Sequence, residues 1–126
     1  MARVVGIGGV FFKAEDPKAV RAWYARVLGL DIQKWGNVIW PHPAIGNANW
    51  NVFEASTDYF APSTAPFMVN FIVDDLDGVL AKAKVEGAEP VGEPMSNAYG
   101  RFAWLMDPVG VKIELWEPPP SEPPDQ

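Results

Sequence analysis

Two stretches of this chain repeat one pattern: an apolar run of about seven residues, a closing aspartate, then apolar residues at helical spacing. The first run begins near Val4 and carries Gly9-Val10-Phe11-Phe12-Lys13-Ala14-Glu15-Asp16. The second reads Met68-Val69-Asn70-Phe71-Ile72-Val73-Asp74-Asp75. Each run predicts a strand, and each aspartate predicts an N-cap, because its carboxylate can accept from the free N–H groups of the next turn. After Asp16, Pro17 takes the first helical position, where its missing N–H is no loss. Val20, Trp23, Tyr24, Val27 and Leu28 then form one apolar stripe, and Gly29 stops it. After Asp75 the matching stripe is Leu76, Val79, Leu80 and Ala83, stopped by Gly87.

Three further strands are expected after each helix, at 31–35, 37–40 and 49–55, then at 88–91, 101–106 and 111–117. Asp107-Pro108-Val109-Gly110 predicts a tight turn joining the last two as a hairpin. Residues 41–48 and 57–66, rich in Pro, Ala, Ser and Thr, read as loops. The tail 118–126 holds five prolines and is expected to be flexible and outside any sheet.

Composition narrows the function. With 126 residues, 48% hydrophobic and 21% charged, the chain has room for one domain with one core. No stretch approaches the ~18–20 apolar residues of a membrane span, and the N-terminus lacks the features of a signal peptide. The reading is cytoplasmic. A net charge of −6 with ten scattered basic residues excludes nucleic acid as a partner. The absence of cysteine removes disulfides, thiolate metal sites and cysteine nucleophiles, and with one histidine, His42, no site can draw two imidazoles from one chain. His42 stands between two prolines and reads as a surface or rim residue.

The order βαβββ–βαβββ resembles the vicinal-oxygen-chelate superfamily of glyoxalases, extradiol dioxygenases and bleomycin-resistance proteins. The residues that carry the resemblance are the helix 16–30, Val73-Asp74-Asp75-Leu76, and the run Asp107-Pro108-Val109-Gly110-Val111-Lys112-Ile113-Glu114-Leu115-Trp116-Glu117. It implies an α+β fold in which two βαβββ modules, about 4–56 and 66–117, form a cupped mixed sheet within one domain over 1–117. It also implies a homodimer, and metal ligands on four strands facing the cup. At those positions stand Gly9, Asn51, Met68 and Glu114. Glycine offers no donor and a thioether is soft, whereas hard cations want oxygen or imidazole. No cofactor is therefore expected, a divalent metal being the less favoured alternative.

Strand alternation then assigns the cup lining. With Glu114 inward, Lys112 and Trp116 join it, as do Gly9, Phe11 and Lys13, Asn49, Asn51 and Phe53, and Met68, Asn70 and Ile72. Trp104 is a further candidate for the cup or an interface, and Arg101, on the rim-like Tyr99-Gly100-Arg101, for an anionic group or a surface ion pair. This mix of rings, amides and single charges suits a small-molecule pocket. Two functions stay open. One is a protein that sequesters a small, partly aromatic ligand without metal. The other is a glyoxalase-like lyase, isomerase or dioxygenase using a metal or Glu114 as general base.

Overall fold

Helix α1 spans Pro17–Leu28 in the computed structural model, which describes residues 9–41 and 45–120. Asp16 caps it as expected, Oδ1 accepting from the Ala19 N–H at 3.1 Å, and the chain leaves through Gly29. Strand β1 (Val69–Ile72) leads into α2 (Leu76–Val85), where Asp75 Oδ1 accepts from the Gly78 N–H at 3.1 Å. The remaining strands are β2 (Glu89–Pro90), β3 (Met95–Asn97), β4 (Gly100–Met106) and β5 (Lys112–Glu117). They form one sheet in the order β1-β5-β4-β2, with β3 also pairing β4. Strands β1 and β5 are parallel and the other pairs antiparallel, so the sheet is mixed and the fold α+β.

One face of the sheet packs under the helices. Ala103 and Leu105 on β4 and Ile113 and Leu115 on β5 meet Tyr24 and Val27 from α1 and Leu76 and Ala83 from α2. Burial of each large aliphatic chain stabilises the fold by about 1.5–3 kcal/mol. Tyr24 also ties α1 to the hairpin: its O–H donates to Asp107 Oδ2 at 2.6 Å. Asp107 Oδ1 accepts from the Val109 and Val111 N–H groups at 2.9 and 2.7 Å, which fixes the predicted turn.

The first half departs from expectation. Among the described residues, none of 9–13, 31–35, 37–40 or 49–55 is a strand. At 31–40 there is only a turn, with the Gln33 N–H donating to the Asn37 carbonyl at 2.7 Å. A strand exists only where a neighbour supplies carbonyls and N–H groups, and every position in this sheet is filled from residues 69–117. Val4 to Gly8, His42 and the tail beyond Pro120 lie outside the described residues. Among those described, no helix is long and apolar enough to cross a membrane.

Candidate functional site

Alternation along β5 sends Ile113 and Leu115 to the helices and Lys112, Glu114 and Trp116 to the opposite face. Pairing sets Glu114 between Asn70 on β1 and Trp104 on β4, and Trp116 between Ile72 and Phe102. The four polar or aromatic positions read from the sequence on β1 and β5 thus share one face.

Glu114 is its centre, and it is 8% exposed. Its carboxylate accepts from three donors. Asn70 Nδ2 donates to Oε1 at 2.8 Å; Trp104 Nε1 donates to Oε2 at 2.9 Å, and the Tyr59 O–H donates to the same oxygen. A carboxylate so held is oriented and its desolvation offset, but its lone pairs are largely taken. Lys112, also buried, donates from Nζ to the Tyr59 carbonyl at 2.6 Å and lies 5.2 Å from the Tyr59 ring centroid and 5.7 Å from that of Trp104. Burial holds its ammonium below the usual lysine range, with Glu114 and Asp58 working the other way.

Tyr59 is the residue the sequence did not single out. It comes from the 57–66 segment, read only as a loop, and lies across the sheet face. Its ring stacks on Phe53 (5.7 Å, 12°) and stands edge-on to Trp104 (6.3 Å, 90°). Burial first, then the hydrogen bond to Glu114, pushes its phenol up to about 12. Tyr59-Phe60, an aromatic pair inside a loop otherwise of small and polar residues and prolines, was the available signal. Farther along the face Phe102 stacks on Trp116 (6.4 Å, 12°), and Trp116 Nε1 donates to the Tyr99 carbonyl at 2.7 Å. The backbone at Gly46 closes over Trp116, a Cβ there falling 3.0 Å from Trp116 Cζ3.

The other candidates lie elsewhere. Phe11 is 91% exposed on irregular chain, and Lys13 lines a groove of about 480 Å³ with Pro108 and Val109 at the start of α1. Neither faces the sheet as expected, because no strand forms there. Asn51 is exposed, and Met68 is half-buried just ahead of β1. Arg101 turns to the helix side, its guanidinium gripping Asp77 at 2.7 and 3.2 Å with Glu117 at 4.0 Å. A second groove, about 330 Å³, runs between Leu30, Trp40 and Phe71 and also misses Glu114.

The donor set does not suit the divalent cation that the resemblance implies. Glu114 is engaged by N–H and O–H groups, Gly9 offers no side-chain donor, and Met68 offers only sulfur. Among the described residues no three Asp, Glu or His side chains converge.

The helix-backed mixed sheet, with Glu114 centred on its other face, is that of the glyoxalase and bleomycin-resistance class of folds. The model of the glyoxalase-like domain matches residues 9–116, and the chain belongs to that family. Its fold matches the crystal structure of TnmS3, an antibiotic binding protein from Streptomyces sp. CB03234, over 83% of this chain and 88% of that one, with TM-score 0.53 and 21% identity. TioX from Micromonospora sp. ML1 matches over 83% and 90%, with TM-score 0.49 and 18% identity. Among curated proteins, "Putative glyoxylase CFP32" from Mycobacterium bovis and Mycobacterium tuberculosis is 40% identical over 55 residues. That match covers 43% of this chain and 21% of the relative.

Proposed function

We propose that this protein binds a small, partly aromatic molecule on the face around Glu114, without a metal, and holds it rather than transforms it. The observation that carries the reading is the state of the Glu114 carboxylate. Three hydrogen-bond donors, rather than a cation, satisfy the carboxylate oxygens, and aromatic rings surround them. A binding face needs apolar area with a few oriented polar groups, and Phe53, Trp104, Asn70 and Lys112 supply both. The fold also serves an antibiotic binding protein, TnmS3, which supports the reading by analogy.

The test is a ligand screen read by tryptophan fluorescence, with each hit then recovered and weighed by mass spectrometry. A hit that quenches tryptophan fluorescence in the wild type but not in Trp104→Phe, is lost on Glu114→Ala and returns chemically unchanged is expected. Turnover of the hit would favour instead a lyase, isomerase or dioxygenase, the reading that family membership keeps open.

The same proposal includes a homodimer in the cytoplasm. Phe11, Trp35, Trp40, Trp50 and Val52 are all more than half exposed, an apolar surface large for a monomer and suited to a second copy. Sedimentation at micromolar concentration is expected to give about twice the 13.9 kDa of one chain. A single species of chain mass would remove the dimer from the account.

A further inference from the structure

We infer that Tyr59 occupies the binding face as an internal stand-in for the ligand, which is therefore a neutral hydroxylated aromatic molecule. The inference rests on the proposed function and names its ligand class.

Each contact on Tyr59 reads a phenol. Phe53 lies parallel to its ring, Trp104 stands perpendicular to it, the Lys112 ammonium sits over it, and Glu114 takes its O–H. The opposite charges of Glu114 and Lys112 offset each other, so this face has no net charge with which to attract an ion of either sign. A neutral O–H on an aromatic ring satisfies both, donating to the carboxylate while its π face meets the cation.

Tyr59 reaches this face from a segment outside the helices and strands, held by the Lys112 bond to its carbonyl, and a ligand phenol takes the place by displacing only its ring. Tyr24, whose O–H also meets a carboxylate, belongs to a helix in the core. Tyr59 instead lies on the irregular 57–66 segment, where Ser63 Oγ donates to the Gly110 carbonyl at 2.5 Å and the Tyr59 N–H donates to Thr57 Oγ1 at 3.2 Å. Exchanging one phenol for another keeps the hydrogen bond to Glu114 and the ring contacts. The ligand's affinity is then lowered by the competition of Tyr59 and rises when that competitor is removed.

Calorimetric titration with 2-naphthol and its methyl ether, 2-methoxynaphthalene, tests this on the wild type, Tyr59→Ala and Tyr59→Phe. Tyr59→Ala is expected to bind 2-naphthol about tenfold or more tighter than the wild type, and Tyr59→Phe several-fold tighter, since only the competing O–H is gone. In either variant the methyl ether is expected to bind about tenfold more weakly than the naphthol. Tyr59→Phe keeps the ring, so it serves if Tyr59→Ala fails to fold. Equal naphthol affinity in the wild type and a folded variant, or equal affinity for naphthol and ether, overturns the inference. If the fluorescence screen still yields a ligand dependent on Glu114, the proposed function survives that failure; if neither experiment yields a ligand, both fall.

Discussion

Residues 69–117 and residues 9–60 start from the same apolar runs and reach different ends. In the later region Leu105, Ile113 and Leu115 are fully buried and five strands form one sheet. In the earlier one a capped helix forms, but Phe11, Trp35 and Trp50 stand 91, 84 and 76% exposed on chain without strands. A helix satisfies its hydrogen bonds within itself, whereas a strand depends on a neighbour. The comparison teaches that apolar alternation is a request for a partner and not a guarantee of one. It also builds the face around Glu114 from both regions: the sheet presents Glu114, Asn70 and Trp104, and the irregular region supplies Phe53 and Tyr59, which cover them.

The sharpest way to break this contrast is truncation on each side. Leu115→Ala is expected to lower stability by about 2–5 kcal/mol in urea denaturation, because the cavity opens under both helices. Trp50→Ala is expected to stay within about 0.5 kcal/mol for the separated chain. Similar losses at both positions would mean that the early region is packed after all.

A second, smaller effect probes the hairpin that organises the later region. Gly100 has φ 122°, and a Cβ there would collide with the Glu117 carbonyl oxygen. Gly100→Ala is expected to cost about 1–3 kcal/mol through backbone strain and loosening of β4 from β5. Tyr24→Phe, which strands Asp107 Oδ2 beneath α1, belongs in the same range, about 1–3 kcal/mol. Thermal denaturation of the two variants ranks them against Leu115→Ala.

The smallest effect is a pH dependence. Both bonded tyrosines are held above the ordinary phenol value of 10.0 by burial and then by their carboxylate partners, Tyr59 to about 12 and Tyr24 further. Between pH 10 and 12 the unfolded chain has released these protons while the folded chain keeps them. Stability is therefore complete below pH 10 and falls as pH rises through that window. Urea midpoints from pH 9 to 11.5 are expected to decline in the wild type and less steeply in Tyr59→Phe. An unchanged slope would mean that Tyr59 does not hold its proton for Glu114.

Much of the fold was legible because its signals were local. Asp16-Pro17, Asp75 and the two apolar stripes set both helices, and Asp107-Pro108-Val109-Gly110 set the hairpin. Three-residue β3, Met95-Ser96-Asn97, has no apolar alternation and forms because β4 offers it an edge. The period of two placed Lys112, Glu114, Trp116 and Asn70 on one face. Applied to β4, the same rule turns Arg101 away, since it alternates with Phe102 and lies on the side of Ala103 and Leu105. Tyr59 was beyond reach because its position follows from where a loop crosses the sheet, 55 residues away in sequence from Glu114.

The central claim is that donors of this chain, not a cation, satisfy the Glu114 carboxylate. Calorimetric titration of Zn²⁺, Ni²⁺ and Mn²⁺ into the wild type and Glu114→Ala tests it most directly. The account predicts no stoichiometric uptake by either protein. One ion bound per chain, lost on Glu114→Ala, would contradict it.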